Sequence, residues 1–364
     1  MTRHLYIHIP FCHHICPYCA FYKHRPGALA NQAFIDAILN EARIRVSEVE
    51  IKPETIYFGG GTPSALSSSH IKRLCTGLHE IFDLSDLKEW TIESNPATFD
   101  LRKAKLFREL GITRPSLGVQ SFHPATLKTL GRDHSADDAV AAFETLREAG
   151  FQNISVDLMF SIPGQKLADW DYDLSVALNL ESEHISCYNL TYEEDTDFMK
   201  RHQSGELDAD EDRDASTFYH TIERLEAGGF HHYEISNYAR DGFQSLHNQA
   251  YWTGRDYLGL GPSAVSTIRN VRWKTLPDTA AYTRAMHAGD EVKSEIENLT
   301  EEDKRLEAIA LQLRTSKGLP SDYVGGLSTI DSLTQQGLLI KQGDNYCLTH
   351  EGKALADPIA AALA

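Results

Sequence analysis

Cysteine is scarce in this 364-residue chain: there are six, and Cys75, Cys187 and Cys347 lie far apart. That is too few for a disulfide framework, and in a reducing compartment scattered thiols read as small buried apolar side chains. Long apolar runs are missing too. None approaches the ~18 residues of a membrane span, so no intrinsic anchor is expected. The opening Met1-Thr2-Arg3-His4-Leu5-Tyr6 lacks a signal-peptide layout, which makes the cytoplasm the expected location. Basic charge is short as well: 35 Lys and Arg stand against 52 Asp and Glu, a net charge of −17. A chain this acidic is a poor general binder of nucleic acid. No solenoid-type repeat is visible. What is present, 41% apolar and 24% charged residues, suits a globular protein of two domains, or one barrel-sized domain with an appendage.

The first 190 residues alternate strand-like and helix-like runs. Strands are expected at Leu5 to Ile9, Thr55 to Phe58, Trp90 to Glu93, Ser116 to Val119, Ile154 to Met159 and His184 to Leu190. Between them, helical spacing recurs at Ile35, Ile38, Leu39, Ala42 and Val46, and over 69–82, 101–110 and 168–178. Ser135-x-x-Asp138 reads as a capping box opening another helix, which stops at Gly150. Such alternation predicts an α/β fold: a parallel sheet with right-handed crossovers, closing into an open or partial barrel. Functional groups then collect at the C-terminal ends of the strands. Residues 193–214 carry ten acidic and three basic side chains and read as a solvated loop and helix. From Thr300 onward, helices precede two short strands flanking Gly343-Asp344-Asn345, a pattern resembling a winged-helix module. Nine acidic against six basic residues there argue against a DNA reader.

Cys12, Cys16 and Cys19 fall within eight residues, in the spacing C-x3-C-x2-C. Three loop thiolates can hold three irons of a [4Fe–4S] cluster and leave the fourth open to a small molecule. A zinc site is the alternative, with His13 or His14 as fourth ligand, though zinc more often pairs C-x2-C with a distant second pair. Buried thiols are the third reading.

The triad after the first strand of a (β/α) chain resembles the radical S-adenosylmethionine (SAM) superfamily. The resemblance implies a partial (β/α)6 barrel, a [4Fe–4S] cluster on Cys12, Cys16 and Cys19, and SAM chelated at the open iron. Tyr18 matches the aromatic that precedes the third cysteine. Tyr57-Phe58-Gly59-Gly60-Gly61-Thr62-Pro63 matches the segment that meets the SAM amino group, which assigns Gly60, Gly61 and Thr62 as contacts. Glu93 and Asp157 are candidate ribose partners, Gln120 stands at the rim, and Arg132 is a candidate carboxylate partner. The bland alternatives are a surface carboxylate for Glu93, an exposed arginine for Arg132, and an aspartate capping Gly164 or a nearby helix for Asp157.

Tyr6-x-His8-Ile9-Pro10-Phe11-Cys12 opens the motif as in the oxygen-independent coproporphyrinogen III oxidase group, with Tyr6 a further cofactor contact. Within that group the chain is most similar to the HemW-type haem chaperones. It lacks the oxidase's additional cysteine after the triad and its longer leading segment. It also carries Tyr233-Glu234-Ile235-Ser236-Asn237-Tyr238-Ala239 and His247-Asn248-Gln249-Ala250-Tyr251-Trp252, an H-N-x-x-Y-W motif. It departs from these proteins at Ala20, where Asp is common, and at Ser161, where Gly is common. The resemblance implies haem as ligand, haem-requiring respiratory proteins as partners, including membrane-associated ones, and His247 as a haem contact. The alternative for His247 is a structural histidine hydrogen-bonded in a turn; His231 and His232 read as solvent-facing or structural. The alternative function is radical decarboxylation of a porphyrinogen. The implied division is 1–200 for the barrel, 201–295 for accessory helices and the H-N-x-x-Y-W segment, and 296–364 for the winged-helix-like domain.

Overall fold

A computed structural model describes residues 1–26, 31–324 and 327–364. In chain order the elements are β1 (Thr2–Ile9), α1 (Asn31–Glu48), β2 (Ile51–Gly60), α2 (Ser68–Ile81), β3 (Glu89–Ser94), α3 (Leu101–Glu109), β4 (Arg114–Gln120), α4 (Pro124–Thr129), α5 (Ala136–Glu148), β5 (Ser155–Phe160), α6 (Leu167–Asn179) and β6 (His184–Asn189). There follow α7 (Asp197–Gln203), α8 (Glu211–Ala227), β7 (His231–Glu234), β8 (Asn237–Ala239), α9 (Leu246–Trp252), β9 (Tyr257–Leu260), β10 (Val265–Ile268), β11 (Val271–Thr275), α10 (Thr279–Ala288) and β12 (Lys293–Asn298). The chain ends with α11 (Glu301–Gln312), β13 (Leu319–Pro320), α12 (Leu327–Gln335), β14 (Leu339–Gln342), β15 (Asn345–Leu348), α13 (His350–Ala354) and α14 (Ala356–Leu363). Two compact units emerge. The first comprises Met1–Asp157, Thr191–Asp208 and Asp256–Asn298; the second, Leu158–Leu190, Ala209–Arg255 and Leu299–Ala364.

In the first unit β1 pairs in parallel with β2, β2 with β3, and β3 with β4. The strands come out where the sequence places them because each carries alternating apolar side chains. Leu5, Ile7, Ile9, Ile56, Phe58, Trp90, Ile92, Leu117 and Val119 are all fully buried. Alternation sends those side chains to one face of the sheet and leaves the other to Tyr6, His8, Tyr57 and Glu93. Burying several large apolar side chains at roughly 1.5–3 kcal/mol each anchors the first face; the second is free to be polar. The helix at 136–148 opens with the expected box: Ser135 Oγ accepts from the Asp138 amide at 3.2 Å, and Asp138 accepts from the Ser135 amide at 2.9 Å.

One part of this sheet was not foreseen. β9 lies parallel to the other side of β1, with Tyr6 opposite Gly259, and β10, β11 and β12 continue antiparallel. These strands are four to six residues long, too short for periodicity to declare.

In the second unit β6 pairs antiparallel with β8, and β8 with β7. Helices α6 and α8 are joined by Trp170 Nε1–H donating to Thr221 Oγ1 at 2.8 Å. Beyond residue 300, α11 and α12 flank β13 in sequence, α13 and α14 follow β15, and the three strands form an antiparallel sheet of order β13-β15-β14. Its core holds Ile309, Leu313, Leu319, Ile330, Leu339 and Ile359. Among the described residues, no helix is long and apolar enough to cross a membrane.

Candidate functional site

The polar face of the parallel strands lines up by register. Tyr6 stands opposite Tyr57, His8 opposite Gly59, and Glu93 opposite Ser116. The Tyr6 and Tyr57 rings stack at 6.1 Å. Glu93 accepts from Tyr57 Oη–H at 2.9 Å and from the Gly60 amide at 3.1 Å. Burial outweighs these donors and, with Asp157 nearby, pushes the Glu93 carboxyl up to about 7. Glu93 is thus half-buried rather than a surface carboxylate. Asp157 accepts from Ser116 Oγ–H and Ser155 Oγ–H, each at 2.8 Å. Barrel interiors are normally filled by branched apolar side chains; a stripe of Tyr, His, Glu, Ser and Asp marks a face kept for a polar ligand.

The cysteine loop rises from the end of β1. Its neck closes through the Cys12 amide to His24 O at 3.0 Å and the His24 amide to Pro10 O at 2.8 Å. The glycine run binds that neck: the Gly61 amide donates to Ile9 O and the Thr62 amide to Phe11 O, both at 2.8 Å. Two glycines are required sterically. Gly60 has φ +109° and a Cβ there would stand 2.5 Å from the His8 ring; at Gly61 it would stand 2.8 Å from Phe11 O. Each cysteine has a polar neighbour. Thr62 Oγ1–H points to Cys12 Sγ at 3.5 Å, Arg132 Nη1 lies 3.4 Å from Cys16 Sγ, and Lys23 Nζ donates to the Cys19 carbonyl. Burial pushes the Cys12 and Cys19 thiols up and raises the Tyr18 phenol, whose ring lies 6.2 Å from Phe198. Arg132 is largely enclosed, its Nη2 donating to Gly118 O at 2.7 Å, so the exposed-arginine alternative is set aside. Gln120, at φ +70°, folds its amide back over Gly118, a strained conformation typical of functional strand ends.

Four residues of the site were missed. His8 accepts on Nδ1 from Tyr6 Oη–H at 3.0 Å and donates from Nε2 to Tyr22 O at 2.8 Å; burial lowers its pKa to about 4, so it is neutral. Tyr22 Oη and His24 Nε2 both reach Thr279 Oγ1, at 3.1 and 2.8 Å. His8 stands inside the opening motif and could have been noticed. Thr279, some 255 residues along, carries no signal.

Among the described residues, no three His, Cys, Asp or Glu side chains already converge on one ion. The donor set nevertheless fits a cluster. Three thiols share one loop, and a hydroxyl, a guanidinium and an ammonium stand where thiolate charge would need support.

The structure places His247 in the second unit, while the other predicted site residues all belong to the first. Ser245 caps its helix, accepting from the Asn248 amide at 3.3 Å. His247 is fully buried, with Nε2 3.0 Å from Tyr251 Oη and the rings edge-on at 4.8 Å. His231 is exposed beside Asp241. His232 is buried, its Nδ1 2.9 Å from Lys353 Nζ and its Nε2 donating to Ile235 O.

A parallel sheet with three cysteines on the loop after its first strand defines the class. The Radical SAM superfamily matches residues 6–175, which implies a [4Fe–4S] cluster and SAM. Over nearly the full length the chain is 34% identical to the heme chaperone HemW of Bacillus subtilis, covering 97% of each. It is 36% identical to that of Lactococcus lactis over 86% of this chain and 82% of the relative. The chain belongs to the HemW family. The solved radical SAM enzyme coproporphyrinogen III oxidase of Escherichia coli superposes with a TM-score of 0.85 at 23% identity, covering 100% of this chain and 90% of that one. At that identity the likeness establishes the fold.

Proposed function

We propose that this chain is a cytoplasmic haem chaperone: it binds haem and hands it to haem-requiring proteins, respiratory and membrane-associated ones among them. The observation that carries this reading is the likeness to heme chaperones over 97% of both chains. In it, Cys12, Cys16 and Cys19 hold the cluster. Arg132 and Thr62 support the thiolates, Gly60, Gly61 and Gln120 line the SAM site, and Glu93 and Asp157 offer acceptors to its ribose. Tyr6 and Tyr18 pack against the bound groups. When bound, the cluster supplies an electron and an open coordination site. The chain's own work is to seal and orient. His8 and Thr279 fix the loop neck, and Glu93, its carboxyl pushed up by burial, holds Tyr57 and the Gly60 amide in place.

His247 is assigned as the haem ligand through Nε2, a neutral imidazole being a common axial ligand. In the structure described here that nitrogen is engaged by Tyr251, so ligation requires the tyrosine hydroxyl to release it. The test is anaerobic reconstitution with iron and sulfide, then a haem titration of wild type and His247→Ala. A saturable Soret band in the wild type, weakened in the variant, is expected. A reconstituted cluster with no haem binding overturns the chaperone reading.

A further inference from the structure

The acidic stretch 193–214 reads as a solvated loop and helix, and most of its side chains are exposed or half-buried. Of residues 191–208, only Thr196, Phe198 and Leu207 are buried, and Phe198, on α7, completely so. This stretch belongs to the first unit, although the chain up to Leu190 and from Ala209 belongs to the second. It forms a strap tied to itself. Tyr192 Oη–H donates to Asp208 O at 3.2 Å, Arg201 pairs with Glu206 at 2.7 Å, and His202 Nδ1 lies 2.8 Å from Leu207 O. Phe198 carries the strap onto the cysteine loop: its amide donates to Pro17 O at 3.2 Å, and its ring lies 6.2 Å from that of Tyr18. The Tyr192 ring, at 6.4 Å, and the Arg201 guanidinium, at 5.5 Å, stand beside the same phenyl ring.

Pro17 and Tyr18 are the residues between the second and third cysteines. They form the tip of a turn that the Cys19 amide closes on Cys16 O at 3.3 Å, and such a turn sets how far apart the two thiols stand. A backbone carbonyl at a turn's tip needs a donor, usually water; here the Phe198 amide supplies it. On another flank, a Cβ at Gly131 would stand 3.0 Å from Pro17 Cδ, and Arg132 Nη1 lies 3.4 Å from Cys16 Sγ. The turn is therefore gripped by the strap and by the Gly131-Arg132 segment. The effect shows in the exposure along the loop. His13, His14 and Ile15 before the turn and Ala20 and Phe21 after it are exposed, whereas Cys16, Pro17, Tyr18 and Cys19 are half-buried. An anchor for the strap alone would be served by any apolar surface. Phe198 is instead set on the two residues that fix Cys16 against Cys19.

We propose that Phe198 is a positioning residue of the iron site: it holds the Cys16–Cys19 turn in shape and keeps water from the cluster on that turn. It acts through Pro17 and Tyr18 and binds no group itself. The proposal rests on the cluster reading above, although Phe198 lies outside every motif that carries that reading. Solvent exposure is one of the levers that set a cluster's potential, and thiolate oxidation follows exposure. Admitting water favours the reduced, more negatively charged cluster, so removing the ring raises the reduction potential and opens the sulfurs to oxygen.

The test uses the full chain, reconstituted anaerobically with ferrous iron and sulfide, as wild type, Phe198→Ala, Phe198→Leu and Phe82→Ala. Phe82 is buried ahead of β3, at the end of the parallel strands opposite the cysteine loop, and controls for the loss of a core ring. Iron content, melting curve, reduction potential, the electron paramagnetic resonance of the dithionite-reduced cluster and its bleaching in air are recorded for each. In Phe198→Ala the cluster is expected to bleach several-fold faster than in wild type, at a more positive potential and with a changed resonance. Phe198→Leu, which keeps an apolar plug, carries the same comparison with a smaller shift should the alanine variant fail to fold. Phe82→Ala is expected to melt lower and bleach as wild type does. Wild-type bleaching and potential in both Phe198 variants overturn the proposal and leave the cluster reading standing. Equal acceleration in Phe82→Ala also overturns it, by tracing the effect to lost stability. A wild-type chain that takes up no iron removes the cluster reading and the proposal together.

Discussion

The cysteine loop and the His247 helix are both motif segments, and they are built in opposite ways. The loop has almost no secondary structure of its own between Cys12 and Lys23. It is pinned at its neck by His24, Gly61 and Thr62, and its thiols face donors and cations. The helix is short, capped and closed, with His247 fully buried against Tyr251. A segment whose polar groups stand beside supports of the opposite charge is prepared for a ligand it does not yet hold. A segment whose polar groups already satisfy one another must open before it can bind.

The sharpest way to break this contrast is at the thiols. Alanine at Cys12, Cys16 or Cys19 is expected to abolish iron retention after reconstitution, because three ligands leave none to spare. Alanine at the core residue Cys75, fully buried, leaves the iron content per folded chain unchanged. Equal iron loss in both would mean that the loop is not the metal site.

Next in size is Gly60→Ala. The methyl meets the His8 ring on a backbone of φ +109°, so a loss of roughly 2–3 kcal/mol is expected in denaturant melts. The same substitution at Gly150, where a Cβ would meet nothing within 4 Å, suffers only the φ penalty of about 1 kcal/mol.

Glu93 sharpens the electrostatic side. Its carboxyl rises from 4.5 to about 7 on folding. Between those values the folded chain keeps a proton that the unfolded chain has released. The contribution is complete below pH 4.5 and lost as pH rises through about 7. In Glu93→Gln that loss disappears, so the variant's stability relative to wild type rises by roughly 2–3 kcal/mol from pH 5 to 8. A pH-independent gap would show that Glu93 titrates normally.

Tyr251→Phe tests the closed segment. Removing the hydroxyl from His247 Nε2 releases about 1 kcal/mol of competition. Haem affinity by Soret titration should therefore rise about fivefold. An unchanged affinity would mean that His247 is not the ligand. The smallest effect is expected at Ser161, a non-glycine at φ +62° with a buried hydroxyl that lacks a partner. Ser161→Gly relieves both and should stabilise by ~0.5–1 kcal/mol in a thermal melt.

Local pattern made much of this legible. Alternating Leu5, Ile7, Ile9 and the helix stop at Gly150 placed the parallel strands and helices. The C-x3-C-x2-C spacing and the glycine run marked strand ends, because a chain that must turn sharply there needs residues without a side chain. What stayed hidden depended on partners far along the chain. The motif makes Gly60 a SAM contact, and the structure adds the His8 ring as the reason that it must be glycine. Ser161, noted only as a departure, proves to sit in a conformation that favours glycine.

From the sequence alone came the α/β class, the triad and the family, since these depend on periodicity and on short spacings within one segment. Only the tertiary structure decided that β9 would flank β1, that Thr279 would hold the loop neck, and that His247 would be shut against Tyr251. Each of these outcomes follows from which side chains are brought together and which are sealed from water, and neither is written in the spacing of any single segment.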